Sequence, residues 1–401
     1  MNHSKSYRFR LMPDETQKAF LRQAFGSSRF VYNHFLALKK STYEESKTSL
    51  NFKEISRKLT ELKGLEEFSW LYKTPNVCLQ QSLRNLDAAY SKFFKKQTKF
   101  PRFKKRGNKQ SIKFTKECFK LVDSKLKVVS LEMPLKVVWD RKIPNDAKIS
   151  SIVISKNQSE QYFVSFCTEH DIQALPRLNK SIGIDLGLKT FAALSDGGAI
   201  ESPKFERRNR SKLKTLQRRY SRTLKGSKNR EKARLRLARE YQRISNRRAN
   251  FLHQQTTKII RENQMIILES LKVKNMMQNH RLAGAIADAS WSEFVRQLEY
   301  KSKWYNREII KINQWFPSSQ LCSACGEKRV ERLKLSDREW NCDACGVVHD
   351  RDLNAAKNIL RAGMSLITGG SPGIVCGEHV GERDQESRKP ELFVETEINE
   401  S

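Results

Sequence analysis

Apolar positions recur with period two at the start of the chain. They switch to the helical period, then return to period two. Tyr7, Phe9 and Leu11 alternate with Ser6, Arg8 and Arg10, which predicts a strand with one apolar face over residues 5–11. Pro13-Asp14-Glu15 opens a helix with Phe20, Leu21 and Phe25 on its stripe, and Gly26-Ser27-Ser28 is expected to end it. A second helix carries Phe30, Val31, Phe35 and Leu38. A third, from about Gln80 to Phe94, repeats Leu83, Leu86, Tyr90 and Phe93 at spacings of three and four. Residues 12–96 therefore read as a helical bundle. From 111 to 170 the alternation returns, as in Leu126-Lys-Val-Val-Ser-Leu and Tyr162-Phe-Val-Ser-Phe, with Asn157 at a turn. This predicts an antiparallel β module, a small barrel completed by the first strand.

A new pattern begins near residue 181. Ile182-Gly183-Ile184-Asp185-Leu186-Gly187 and Thr190-Phe191-Ala192-Ala193-Leu194 are two apolar strands, and Asp196-Gly197-Gly198 turns toward a third. Met265-Ile266-Ile267-Leu268-Glu269 is a strand ending in a carboxylate. Trp291, Phe294, Val295, Leu298 and Tyr305 mark a helix, and residues 308–315 form another strand. A last helix is expected from Leu353 to Arg361, stopped by Gly363. Residues 366–401 are polar, with no periodic face, and are expected to be a disordered tail.

Charge changes the picture. The 401 residues hold 77 Lys and Arg against 44 Asp and Glu, a net +33. Such an excess suits a polyanion, with nucleic acid the leading candidate. No apolar run approaches the roughly 20 residues of a spanning helix, so no membrane partner is expected. The first ten residues have no apolar signal core, which favours a cytoplasmic protein. Residues 204–248 alone hold 19 Lys or Arg and three Glu. Leucine stripes on either side of Gly226-Ser227 make them a basic helical hairpin, with Arg218, Arg219 and Arg222 as candidate nucleic-acid contacts. Phe100-Pro101-Arg102-Phe103-Lys104-Lys105-Arg106 is a basic-aromatic linker. Arg102, Lys104 and Lys105 could hold phosphates beside stacking rings, or the Phe residues could tuck into the core.

Two constellations carry chemistry. Cys322-Ser-Ala-Cys325 and Cys342-Asp-Ala-Cys345 have the spacing of a structural zinc ribbon, with Gly326 and Gly346 following each pair. Four thiolates close the site and leave no position for a substrate. His349 is left over, with a polar loop role expected. The second constellation is acidic. Asp185 and Glu269 sit in otherwise apolar strands, where a carboxylate is costly unless paired or metal-bound. A third carboxylate is Asp350 or Asp352. Asp352 shares a helix face with Ala355, Ala356 and Ile359, which favours it as the metal ligand and leaves Asp350 as a cap or a solvated residue. Three such carboxylates suit Mg²⁺, two ions together, acting on a phosphodiester.

These motifs in this order resemble the OrfB/TnpB proteins of bacterial insertion sequences, relatives of the type V CRISPR effectors. The residues that carry the likeness are Gly183-Ile184-Asp185-Leu186-Gly187, Leu268-Glu269, and the four-cysteine ribbon leading into Asp350-Arg351-Asp352-Leu353-Asn354-Ala355-Ala356-Lys357-Asn358-Ile359. Gly26-Ser-Ser-Arg-Phe-Val-Tyr-Asn and Pro101-Arg102-Phe103-Lys104 extend it over nearly the whole chain. The resemblance implies an α+β multidomain protein. A wedge β-barrel (1–11 and 107–178) would carry an inserted helical recognition domain (12–106). A RuvC-like nuclease domain of RNase H fold (179–316 and 350–365) would be interrupted by the zinc ribbon (317–349), which binds target nucleic acid. The family's catalytic Asp, Glu and Asp match Asp185, Glu269 and Asp352. The implied activity is cleavage of double-stranded DNA beside a transposon-adjacent motif, directed by a guide RNA derived from the transposon end. The setting would be a bacterial cytoplasm, nucleoid-associated when bound to DNA. Two alternatives stand beside it: an RNA-guided DNA-binding regulator that does not cut, and a transposase-accessory protein.

Overall fold

The computed structural model describes residues 2–331, 333–334, 337–368 and 393–395. They divide into two compact units. The first comprises residues 2–171, 225–239 and a short strand at Phe393–Glu395. The second comprises 172–224 and 240–368.

The first unit opens with strand β1 (Asn2–Leu11), followed by helices α1 (Glu15–Ser46), α2 (Phe52–Gly64) and α3 (Asn76–Phe94). Strands β2 (Gln110–Thr115), β3 (Phe119–Val122), β4 (Lys125–Val128), β5 (Leu135–Val138), β6 (Lys148–Lys156) and β7 (Tyr162–Asp171) follow. They pair in the order β2-β6-β7-β1-β5-β4-β3, with Phe393–Glu395 running parallel to β1. The strands at the two ends of this path, β2 and β3, are separated in the chain by only Lys116–Cys118. The sheet must therefore curl until its edges nearly meet, which gives the barrel expected from the period-two stretch. Phe9, Phe114 and Phe166 fill its interior.

Helix α1 runs unbroken through Gly26-Ser27-Ser28, where two helices were expected. The serines are packing contacts. Ser27 Oγ donates to Gln23 O and accepts from Thr74 Oγ1, and Ser82 Oγ donates to Ser28 O. The Ser27 hydroxyl and the Ser28 carbonyl are thus bonded within a packed helix, which removes the reason for a break. The continuous helix lends Leu21 and Phe25 to the sheet core and Val31, Phe35 and Leu36 to the helical core with Ile55, Leu59 and Leu83. Helix α2, absent from the sequence reading, starts at a capping box between Asn51 and Glu54.

In the second unit, β8 (Ser181–Leu186), β9 (Thr190–Leu194) and β10 (Ala199–Glu201) form an antiparallel meander. Helices α4 (Phe205–Arg208), α5 (Arg210–Arg222) and α6 (Lys228–Glu262), of which residues 240–262 belong to this unit, lead to β11 (Met265–Glu269). Then come α7 (Val273–Met276), α8 (Ala283–Ala289), α9 (Trp291–Tyr305) and β12 (Glu308–Ile312). The hairpin β13 (Glu339–Asn341) and β14 (Val348–Asp350) precedes α10 (Arg351–Thr368). The sheet order is β10-β9-β8-β11-β12, with β8, β11 and β12 parallel. One face buries Ile182, Ile184, Ile266 and Leu268 under Leu252 and Ile259 of α6 and Phe294 and Leu298 of α9. The other face buries Ile267 and Ile312 under Ile359 and Ala362 of α10.

Helix α10 is longer than expected at both ends and passes through Gly363. A Cβ on Gly363 would lie 2.5 Å from Ile267 Cγ2, so this glycine permits close packing on the sheet and does not stop the helix. The helix takes in the first three residues of the expected tail. Residues 369–392 and 396–401 of that tail lie outside the described residues. No described helix is long and apolar enough to cross a membrane.

Candidate active site and metal centre

Strand alternation sets the acidic site. On β8, Ile182 and Ile184 face α6 and α9, so Gly183 and Asp185 face α10. The contact is extreme at Gly183, where a Cβ would meet Ala356 O at 2.2 Å and Leu360 N at 2.6 Å. Only glycine lets the helix backbone lie on the strand there. Two residues along β8 advance about 6.6 Å, and four residues back along α10 retreat about 6 Å. The first step leads from Gly183 to Asp185 and the second from Ala356 to Asp352. Each carboxylate is thus one short step from that close contact, and Asp185 feels the charge of Asp352. On β11, Leu268 pairs with Ile184, so Glu269 comes next beside Asp185 and points to the same face.

The electrostatics agree with this placement. Asp185 is half-buried, and its carboxyl is pushed up to about 7 from 3.8. Burial is the largest cause. The charges of Glu269 and Asp352 add to it, while Arg351 and the Leu186 N–H oppose it. Burial also raises Glu269, against a hydrogen bond from Ser318. That bond runs from Ser318 Oγ to Glu269 Oε1 at 2.6 Å. Asp350 is the helix cap, accepting from Leu353 N at 2.8 Å. Asp352, left out of the cap, has both oxygens 3.3 Å from Arg338 Nη1.

Several residues that organise this site were given no role by the sequence. Asn354 and Asn358 are buried one turn apart on α10. Asn354 donates to Leu321 O and accepts from Ser323 N, and Asn358 donates to Ser318 O and Leu321 O. The pair clamps segment 318–323 to the helix, and Ser318 passes that order to Glu269. Two amides at i and i+4 on an otherwise apolar face were the available signal.

The four cysteines form one cluster, with Sγ atoms all within 4.8 Å of one another. Cys322 and Cys345 are 3.6 Å apart, as are Cys325 and Cys342. A disulfide needs about 2.05 Å. Four sulfurs about 2.3 Å from a tetrahedral zinc stand about 3.8 Å apart, so this donor set fits such an ion. Each knuckle closes through the glycine after its second cysteine. Gly326 N bonds Cys322 O and Gly346 N bonds Cys342 O, with φ at +86° and +70°. His349 departs from its expected loop role. It is buried against Trp340, and its Nε2 lies 3.0 Å from Cys322 Sγ.

The basic candidates lie on the surface. Arg102, Lys105, Arg218, Arg219 and Arg222 are exposed. Lys104 is docked, with its ammonium 3.9 Å from the Tyr32 ring centre and its backbone tied both ways to Asn33. In the linker, Phe100 packs edge-on against Tyr90 and Phe93, and Phe103 stays exposed.

The fold is thus α+β, with carboxylates on a mixed sheet and a four-cysteine cluster in the same unit. Comparison with known proteins gives the family. The profile described as "Probable transposase" matches residues 165–280. The Cas12f1-like TNB domain matches 291–359 and a helix-turn-helix domain 1–48. Over that last span the structure has one strand and one unbroken helix. A Streptomyces pristinaespiralis protein named as an RNA-guided DNA endonuclease is 40% identical, over 96% of this chain and 94% of its own. InsQ of Escherichia coli K12, named likewise, is 31% identical over 95% and 96%. The chain belongs to the OrfB/TnpB family. Among solved structures, Cas12f1 in complex with guide RNA and target DNA shares the fold. Its TM-score is 0.51 at 15% identity, over 86% of this chain and 83% of that one.

Proposed function

We propose that this protein is an RNA-guided DNA endonuclease that cuts target DNA through Asp185, Glu269 and Asp352. The observation that carries the reading is that Asp185 and Glu269 stand side by side on the sheet face under α10, and that the charges of Glu269 and of Asp352 on that helix both raise the proton affinity of Asp185. Like charges crowded in a half-buried site call for a hard cation, which fits Mg²⁺, two ions in this reading. When bound, such ions would activate the attacking water and stabilise the leaving oxygen of a phosphodiester. The chain's own part is placement. The parallel register of β8 and β11 sets Asp185 beside Glu269, Ser318 orients Glu269, and the Asp350 cap leaves Asp352 available. The sheet order β10-β9-β8-β11-β12 supports a RuvC-like domain of RNase H fold, and the cysteine cluster supports one structural zinc in a ribbon. In this reading the curled sheet is the wedge, the helices α1–α3 inserted between β1 and β2 are the recognition domain, and the exposed arginines of α5 contact nucleic acid. The guide comes from the transposon end, and cutting occurs beside a transposon-adjacent motif in a bacterial cell.

The test is co-expression with the DNA that flanks the gene, sequencing of RNA retained on purification, and a cleavage assay on matched target. RNA drawn from the flank and guide-matched cutting are expected. Asp185→Ala should lower cutting about 10³-fold or more while guide and target binding persist. A wild-type protein that holds no RNA sinks the guided reading, and an active Asp185→Ala variant sinks the assignment of the site.

A further inference from the structure

We propose that Trp315 is a stacking platform for one nucleobase of the DNA strand entering the carboxylate site. The proposal rests on the nuclease reading above. All six Trp lie among the described residues, and Trp315 alone is exposed, at 81%. Trp291, Trp304 and Trp340 are buried at 5% or less. A single exposed apolar side chain is ordinary on a protein surface. Two further observations set this one apart.

The first is position. Trp315 sits midway in a short loop tied to Glu269 at both ends. On one side, Ile312 is the cross-strand partner of Glu269. On the other, Ser318 donates its hydroxyl to the Glu269 carboxylate. Trp315 is three residues from each. Its Cα therefore lies within roughly 10 Å of both anchors, whatever the loop's path. An indole reaches several ångströms further, so the ring can stand beside a strand whose phosphate rests on the carboxylates.

The second is rigidity. Trp315 N donates to Asn313 Oδ1 at 2.9 Å, Phe316 N to Asn313 O at 3.1 Å, and Ser318 N to Phe316 O at 2.8 Å. Phe316, the next residue, packs into the core formed by Ile267, Ile312 and Ile359. The loop is thus held by its own turns and by one partly buried ring, and it presents the other ring outward. A fixed aromatic face costs little further ordering when a base stacks on it. It accepts any base, because every base has a π-face. That suits an enzyme whose sequence choice lies in guide pairing: the strand at the cutting site needs holding, without reading.

The full chain loaded with its guide RNA tests this. Target DNA carries 2-aminopurine at successive positions around the cut, with Ca²⁺ replacing Mg²⁺ to hold the strand uncut. Fluorescence should be quenched at one or two positions in the wild type and in Trp315→Phe, and not in Trp315→Ala. With Mg²⁺, Trp315→Ala should raise KM for the cut strand about 5- to 150-fold, the range of one stacked base, with kcat within about twofold. An abasic site at the quenched position should slow the wild type and leave Trp315→Ala no slower than before. Equal quenching in wild type and Trp315→Ala overturns the proposal, as does an unchanged KM. A wild type that binds guide and cuts target keeps the nuclease reading intact in those cases. A wild type that holds no RNA and cuts nothing fails both.

Discussion

The cysteine cluster and the carboxylate cluster are neighbours built in opposite ways. The cysteines come from two tight turns 16 residues apart, each closed by its own backbone hydrogen bonds and a glycine at positive φ. The carboxylates come from two strands and a helix, no two of them closer than 83 residues in sequence. They meet because α10 lies against Gly183. One site is specified locally by two tight turns. The other is specified by tertiary packing and crowds its own charges.

The sharpest way to break this contrast is to remove one cysteine. Cys322→Ser should abolish zinc binding. The metal's share of ribbon folding is on the order of 10 kcal/mol, so the knuckle region should unfold locally. Hydrogen exchange should rise throughout 321–350, while the amides of β8 and β11 keep their protection. Equal loss of protection in the sheet would show that the two sites are one folding unit.

A smaller effect probes that crowding. Asp185 is pushed up to about 7 from 3.8, by burial and then by Glu269 and Asp352. Between those values the native state keeps a proton that the unfolded chain has released. Stability without Mg²⁺ is then full below pH 3.8 and falls as pH rises through about 7, by on the order of 4 kcal/mol at most. Asp185→Asn removes the penalty, so its Tm in Mg²⁺-free buffer should exceed wild type most at pH 8, by less at pH 5, and match it below about pH 3.8. A pH-independent difference would mean that Asp185 is not held neutral. By the same linkage, Mg²⁺ affinity of the wild type should drop about tenfold per unit as pH falls below 7.

How far the sequence shows these sites follows from the same contrast. The cysteine spacing, the three buried strands and the Asp352 helix face were legible, because each depends on a period or a short spacing. Glycine misled twice. Gly26 and Gly363 read as helix breaks, yet α1 and α10 run through both. Neighbours distant in sequence decide such cases: Thr74 bonds the Ser27 hydroxyl, Ser82 bonds the Ser28 carbonyl, and Ile267 needs the space at Gly363. Gly183 was legible as part of a strand but not as the contact that sets the site, since that needs the helix backbone 173 residues on. His349 read as spare because its partner is a sulfur, a bond that no spacing rule anticipates.

Arg338 joins the two regions and offers the finest test. It precedes β13, and its Nη1 sits 3.3 Å from both oxygens of Asp352. A guanidinium spanning both oxygens covers the side of the carboxylate that a cation would use. It also neutralises part of the charge that burdens Asp185. The two effects oppose each other. The Arg338 side chain is 41% exposed and Asp352 25%, so solvent screens the pair and its worth is about 0.2–1 kcal/mol. Arg338→Ala should then cost at most about 1 kcal/mol of Mg²⁺-free stability and tighten Mg²⁺ binding about two- to fivefold, as read by calorimetric titration. Tighter binding would make the arginine a stand-in for the cation, released when it binds. Weaker binding would mean that Arg338 positions Asp352 for the metal, and the carboxylate site would then depend on the ribbon for more than the Ser318 and asparagine contacts.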